Sequence, residues 1–407
     1  MKIAMVSEHA SPLAAIVGED AGGQNVHVAA LSTRLARAGH EVTVWTRRDA
    51  EDLPPRVACD GIVVAHVDAG PPRPIAKDHL PRWMGDFTDV LSRHWAGDPP
   101  DVIHAHFWMS GGASLRARPL LTPVVHTFHA LGAVKRRHLG DADPSPPGRL
   151  AAEEAIAAGA DRIIATCRDE LRELRRIGAD PLRVDIVPCG VDLDRFVPDG
   201  ARRRPARRPR RIVVIGRLVA RKGVDDVIRA LAALPDAELV VAGGPPAAEL
   251  AGDAEAHRLL EVARQARVAD RVELRGAVAR DDIPKLLRSA DVVACTPWYE
   301  PFGIVPLEAM ACGVPVVATA VGGLLDTVVD GRTGLHVPPR DPSALAMALR
   351  RLLDSPRLCR RMGVAGRQRA TERYGWETVA AATLDVYRSV TAREHAPAAD
   401  GSRMATR

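Results

Sequence analysis

Glu300 and Glu308 bracket the segment Pro301-Phe302-Gly303-Ile304-Val305-Pro306-Leu307. The apolar run 291–295 precedes it and Val314–Ala318 follows it, so the pattern predicts strand, loop, helix, strand. A helix opening at Phe302-Gly303-Ile304 would turn unpaired N–H groups and the positive end of its dipole toward an anion. Gly303 would let a phosphate approach the backbone closely. Glu308, one to two turns into the helix, could accept two hydrogen bonds from a ribose diol. Glu300, ahead of the helix, could face sugar hydroxyls. Together these groups suit a nucleotide carrying a sugar.

Other residues could complete such a site. Arg217 and Lys222 lie in a Gly-flanked loop after the run Ile212–Ile215, where two cations could neutralise a departing diphosphate. Gly22-Gly23-Gln24 opens an amphipathic segment with Val28, Leu31 and Leu35, a second place for an anion at a helix start. It is not G-x-G-x-x-G, which disfavours a nicotinamide cofactor. His129 ends the strand-like run 123–127 and is expected to enter a cleft. Lys135, Arg136 and Arg137 follow it and, with Lys77 and Arg149, could hold an anionic acceptor. His104-x-His106 lacks a third ligand nearby and reads as hydrogen-bonded or cleft-lining imidazoles. Asp192-x-Asp194 falls at the end of the first half and reads as structural. No metal site and no required cofactor are expected.

These groups need a scaffold, and the chain alternates short β-branched runs with Ala/Leu/Arg-rich amphipathic segments. Strands are expected at 2–7, 41–46, 62–67, 101–106, 123–127, 161–166 and 184–188. The pattern restarts with strands at 212–215, 238–242, 271–275, 291–295, 314–318 and 334–337. Helices are expected at 224–234, 254–267 and 376–388. Residues 202–211 hold seven arginines and two prolines, a charge block that cannot pack and reads as a linker over 201–211. The fold class is therefore α/β, two Rossmann-like doubly wound domains facing a cleft. The first spans 1–200, joined by the closing helix 376–390. The second, nucleotide-sugar-binding domain spans 212–375, and a polar tail at 393–407 is expected to be disordered.

The composition narrows the class. The 407 residues suffice for two cores. Aromatics are 3% and the net charge is +5, which argues against nucleic acid held by base stacking. No run of about 18 apolar residues occurs, and residues 1–8 lack a signal-peptide apolar region. Six scattered cysteines without C-x-x-C suit a reduced, cytoplasmic protein. The expected state is monomer or homodimer.

Taken together, these segments resemble the retaining GT-B glycosyltransferases of family 4 over about residues 2–390. The most specific part is Glu300-Pro-Phe-Gly-Ile-Val-Pro-Leu-Glu308, which is similar to the family's two-glutamate motif. Gly22-Gly23-Gln24, His104-Ala-His106-Phe-Trp-Met-Ser-Gly111 and His126-Thr-Phe-His-Ala-Leu-Gly132 resemble the branch of the sucrose-phosphate synthases and the mycothiol-pathway inositol-phosphate transferase. The resemblance implies sugar transfer from a nucleoside diphosphate, UDP foremost, by front-face attack without an enzymic nucleophile. The acceptor would be small, and polar or phosphorylated. The implied donor contacts are Gly23, Arg217, Lys222, Val278, Glu300, Phe302, Gly303, Ile304 and Glu308, with base contacts from the backbone near Gly276-Ala277-Val278. His129 would polarise a donor hydroxyl, and Arg217, Lys222 and Glu300 would share the catalytic work. The implied acceptor contacts are Gly23, Gln24, Lys77, Phe107, Thr127, Lys135 and Arg149. Phe107 departs from the branch, which often has tyrosine there. The alternatives are a sugar-nucleotide epimerase on the same scaffold, a non-catalytic sensor, and a peripheral membrane transferase with a lipid acceptor. Membrane association is possible on the Arg linker but nothing in the sequence indicates it.

Overall fold

The computed structural model describes residues 1–13, 22–198 and 209–392. The first half supplies β1 (Lys2–Val6), β2 (Glu41–Arg47), β3 (Arg56–Cys59), β4 (Ile62–Val67), β5 (Val102–His106), β6 (Val124–Thr127), β7 (Arg162–Ala165) and β8 (Val184–Ile186). They form one sheet in the order β3-β4-β2-β1-β5-β6-β7-β8, parallel except for the β3/β4 pair. Its helices are α1 (Gly23–Arg37), α2 (Met84–Gly97), α3 (Trp108–Ala117), α4 (Gly132–Leu139), α5 (Arg149–Gly159) and α6 (Arg168–Arg176).

The second half supplies β9 (Arg210–Ile215), β10 (Ala237–Ala242), β11 (Val272–Gly276), β12 (Val292–Cys295), β13 (Val316–Thr319) and β14 (Gly334–Val337). These form a wholly parallel sheet in the order β11-β10-β9-β12-β13-β14. Its helices are α7 (Val224–Leu231), α8 (Ala254–Gln265), α9 (Ile283–Ser289), α10 (Ile304–Ala311), α11 (Leu324–Thr327), α12 (Pro342–Leu353) and α13 (Pro356–Arg373). Continuous apolar strands such as Val292–Cys295 and Val316–Thr319 are buried throughout, as a sheet covered on both faces requires. Each fully buried Val, Leu or Ile contributes about 1.5–3 kcal/mol.

The last helix, α14 (Trp376–Thr391), returns to the first sheet. Trp376, Val379, Leu384 and Tyr387 pack with Val28, Leu31 and Leu35 of α1 in one core cluster. Arg34 Nε meets Glu377 Oε1 at 2.7 Å.

All thirteen expected strands appear within two residues of their expected ends. The fourteenth, β3, was not expected. It is a half-exposed edge strand of four residues with no apolar run, joined antiparallel to β4 by the Asp60-Gly61 turn, whose φ angles are 50° and 82°. The expected linker also ends early. Arg210 and Arg211 belong to β9, where Arg211 pairs with Glu238 at 2.6 Å and donates its backbone N–H to Asp291 at 2.7 Å. Carboxylates from neighbouring strands thus pair with these two arginines of the block. Residues 201–208 and the tail 393–407 lie outside the described residues. Among the described residues, no helix is long and apolar enough to cross a membrane.

Candidate active site

In each sheet the strand order reverses beside the domain's first strand, at β1/β5 and at β9/β12. Crevices at such reversals, outside the carboxyl ends of the strands, are where doubly wound sheets bind ligands. Here the two crevices face one another across a cleft of about 380 Å³. Its walls come from both halves: His9, Gly22–Gln24, Lys77, Phe107 and His129 on one side, and Arg217, Arg221, Lys222, Thr296 and Glu300–Pro306 on the other.

Two helix N-termini converge on it. α1 begins at Gly23 and α10 at Ile304, with Gly303 as its cap at φ 86°. A methyl group on Gly23 would lie 3.1 Å from Ile304 Cδ1, so the two helices approach closely. Their unpaired N–H groups and dipoles favour an anion between them.

The Arg217–Lys222 loop is docked rigidly. Gly223, at φ 64°, lies so close to the Thr296 carbonyl that a Cβ would stand 2.1 Å from its oxygen. Thr296 Oγ1 donates to the Gly223 carbonyl at 2.9 Å, and Trp298 N–H to the Arg221 carbonyl at 2.8 Å. This seating brings Lys222 Nζ to 2.5 Å from Glu300 Oε2. Burial pushes the Glu300 carboxyl up, but Lys222, Arg221 and Arg217 outweigh it and hold it below its ordinary value. One Glu300 oxygen is thus held in an ion pair with Lys222, a contact the sequence does not show.

Glu308 does not line the cleft. It follows Ile304 by four residues on α10, on the same face and one turn deeper, and is 6% exposed. Its nearest cation, Arg280 Nη2, is 3.9 Å away. Burial pushes its carboxyl up to about 7, against Arg280 and Arg195.

Five imidazoles, His27, His104, His106, His126 and His129, are grouped behind the cleft. His104 Nε2 contacts Thr127 Oγ1 at 2.9 Å and His104 Nδ1 the Tyr387 hydroxyl at 2.7 Å. His106 Nδ1 contacts His129 Nε2 at 2.9 Å. Burial lowers the pKa of all five, to about 4 for His27 and about 3 for His126. His129, at φ 60°, reaches the cleft from this group. Phe107, at φ 77° and ψ 155°, also holds a backbone conformation that is costly for a side-chain-bearing residue. Burial pushes the Cys295 thiol, which lines the cleft, up to about 12, away from the reactive thiolate form.

Gly23, Gln24, Lys77, Phe107, His129, Arg217, Lys222, Glu300, Phe302, Gly303 and Ile304 therefore share one cleft. The other expected residues do not line this cleft. Thr127 is fully buried and bonded to His104. Lys135 pairs with Asp143 at 2.9 Å and bonds Ser145. Arg149 is 3% exposed, paired with Glu153 at 2.8 Å and donating to the Ala130 carbonyl. Arg137 pairs with Glu173. Lys135, Arg137 and Arg149 of the basic edge are thus each paired with a carboxylate. Val278 packs against the core under α10. Among the described residues no His/Cys/Asp/Glu group is arranged for a metal, and Asp192 Oδ1 accepts from its own turn's N–H groups. The sequence reading did not name His9, which follows β1 without a motif of its own, or Arg221, which lies beside Lys222 in the loop it singled out.

Residues 21–195 match the family described as Glycosyltransferase Family 4, and residues 201–369 that described as Glycosyl transferases group 1. The chain is 42% identical to a D-inositol 3-phosphate glycosyltransferase of Xylanimonas cellulosilytica, over 97% of this chain and 98% of that one. It is 39% identical to a protein of the same name from Streptomyces bingchenggensis, over 95% and 89%. The structure is similar to sucrose-phosphate synthase from Thermosynechococcus elongatus, with TM-score 0.87 and 33% identity over 96% of this chain and 99% of that one. The Anabaena protein HepE, solved with UDP and glucose, shares the fold at TM-score 0.72 and 19% identity over 96% and 100%. On this ground the chain belongs to the group 1, family 4 glycosyltransferases, GT-B enzymes that act on nucleotide sugars.

Proposed function

We propose that the protein transfers a hexosyl group from a UDP-sugar to a hydroxyl of a small polyol or polyol phosphate, with retention at the anomeric carbon. The observation that carries this reading is the meeting of two helix N-termini with Arg217 and Lys222 at one cleft. Two positive helix ends and two cations suit a diphosphate there. As the acceptor oxygen bonds to C1, the C1–O bond to the diphosphate breaks. The acceptor's proton leaves on the diphosphate, whose charge Arg217 and Lys222 offset. Glu300 holds Lys222 in place and turns its second oxygen to sugar hydroxyls. Glu308 accepts the ribose diol when the nucleotide reaches down α10. His129 meets a donor hydroxyl. Catalysis rests on positioning and leaving-group stabilisation. UDP is supported by its presence in the HepE complex, and a polyol phosphate by the names of the relatives. Lys77 is the cation at the acceptor side of the cleft.

Calorimetric titration of UDP, GDP and ADP into the wild type and Lys222→Ala tests the donor site. UDP is expected to bind tightest, and Lys222→Ala to weaken it by about tenfold or more, the worth of one charge-assisted hydrogen bond. Unchanged UDP affinity would sink the donor site. Anomeric coupling constants of the product decide stereochemistry, and an inverted product would end the retaining reading. An epimer formed from donor alone would replace the transferase reading.

A further inference from the structure

His106 is the last residue of β5, and His129 follows the end of β6, the strand beside it. Their rings meet: His106 Nδ1 lies 2.9 Å from His129 Nε2, and the ring planes are 28° apart. His106 is fully buried, whereas His129 lines the cleft. With Nε2 turned inward to His106, His129 has Nδ1 left for the cleft. Two observations single this contact out. First, the backbone is strained on both sides of it, at His129 with φ 60° and at Phe107, next to His106, with φ 77°. Second, among the described residues His129 is the one hydrogen-bond partner of the His106 ring, whose Nε2 is buried without a protein partner. An apolar side chain at 106 would leave no ring nitrogen unpaired in the interior. Packing alone therefore does not account for an imidazole there, and the bond to His129 does.

That bond also sets tautomers. Burial, and then the surrounding imidazoles, hold both rings well below the ordinary histidine pKa, so both are neutral. A neutral imidazole carries one proton, so a single bond between two such rings links where both protons sit. With His129 Nε2 as donor, the His106 proton would be on its own Nε2, an N–H buried without a partner. With His106 Nδ1 as donor, the unpaired atom is a bare lone pair. Orphaned buried N–H groups are the rarer outcome in proteins. The second arrangement puts the His129 proton on Nδ1, toward the cleft.

We propose that His106 is a positioning residue that fixes His129 as an N–H donor to an oxygen of the nucleotide-bound sugar. His106 touches no substrate. It holds the His129 ring by Nε2 and so aims Nδ1–H into the cleft. The proposal rests on the transferase reading above and sharpens it, because it gives the contact between His129 and the sugar a direction. The sugar oxygen accepts, and its own proton stays free for another partner.

The test joins NMR of isotope-labelled histidine nitrogens, which reads the proton on each ring nitrogen, with titration of UDP and UDP-glucose. It uses the full chain as wild type, His106→Leu, His106→Asn, His129→Ala and the double variant His106→Leu/His129→Ala. Wild-type His129 is expected as the Nδ1–H tautomer. His106→Leu should give a mixture of tautomers at His129. His106→Asn, whose side-chain amide stands near the Nδ1 position, should restore the single form. His106→Leu should weaken UDP-glucose about tenfold, the worth of one hydrogen bond, with UDP within twofold of wild type. In the His129→Ala background, His106→Leu should cost nothing further. A merely structural role would instead weaken both ligands together. Equal losses of UDP and UDP-glucose would therefore overturn the proposal. So would an Nε2–H tautomer of His129 in the wild type, or an unchanged His129 spectrum in His106→Leu. A wild type that binds UDP-glucose no more tightly than UDP would overturn it too. Failure of the donor reading would appear separately, as absent UDP binding in the wild type, while the spectra still decide the histidine pair.

Discussion

Glu308 has one cation, Arg280, at a marginal 3.9 Å, and otherwise sits in apolar surroundings. Its carboxyl, pushed up to about 7, is half protonated near neutrality. Two consequences have worked signs. In the empty protein the raised pKa favours folding below about pH 4.5, and that contribution is lost as pH rises through about 7. If a ribose diol donates to Glu308, the ionised form is the binding form, so nucleotide affinity should rise from pH 6 to pH 8 with release of a proton. Titration of UDP in buffers of different ionisation enthalpy measures that proton. Glu308→Gln should weaken UDP and abolish the pH dependence. A wild-type affinity flat from pH 6 to 8 would remove the carboxylate from the ribose site.

At the scale of elements, what aims Lys222 is the contact between two loops and not the helix that follows. Gly223 and Thr296 hold the β9 loop against the β12 loop, backbone to backbone. Gly322 is packed in the same way under the Glu300 carbonyl, where a Cβ would meet that oxygen at 2.1 Å. Gly223→Ala therefore combines a clash with backbone oxygen and a positive φ. It is expected to lower Tm by several degrees and to weaken UDP about as much as Lys222→Ala does. Gly331→Ala is the control, since Gly331 has φ 70° but nothing within 4 Å of its would-be Cβ. That variant should cost only about 1 kcal/mol of backbone strain and leave UDP affinity unchanged. Equal losses in the two variants would mean that the loop contact does not place Lys222.

At the scale of the molecule, the two sheets meet along the rim of the cleft. His138 of α4 stacks on Tyr299 at 4.8 Å, Cys167 Sγ donates to the Pro301 carbonyl at 3.2 Å, and Arg168 N–H donates to Asp326 at 2.6 Å. The loop that carries Glu300 is thus also an interdomain contact. Behind it, the five buried imidazoles tie the first sheet to α14 through the His104–Tyr387 contact. Their pKa values are lowered by burial, so the unfolded chain takes up protons first as pH falls below about 6.5. Stability contributed by the neutral rings is present above that pH and lost below it, at up to about 1.4 kcal/mol per pH unit for each histidine. Glu308, Glu153, Glu170 and Asp226, whose carboxyls burial raises, act in the opposite sense but are fewer than the imidazoles. Tm should therefore fall steeply from pH 6.5 to 4.5 in thermal melts. A flat profile over that range would show that these histidines ionise within the folded protein.

The sequence by itself determined the two doubly wound sheets and most of the loops that line the cleft. Period and composition are local properties, and continuous apolar runs separated by amphipathic helices admit few other folds. It placed Gly303, Arg217 and Lys222 because each sits at a strand end or helix start, where position along the chain already fixes position in the crevice. It did not show β3, whose four residues carry no apolar run. Nor could it show which charges were already neutralised. Lys135 of α4 is paired with Asp143 in the following turn, Arg149 is held by Glu153 one turn along α5 and by the Ala130 carbonyl, and Thr127 is consumed by a histidine 23 residues away. The clamp of Lys222 on Glu300 and the His106–His129 contact are likewise products of tertiary structure. Residue type and spacing tell which groups can do chemistry. Burial and partners, set by contacts distant in sequence, decide which of them remain able to.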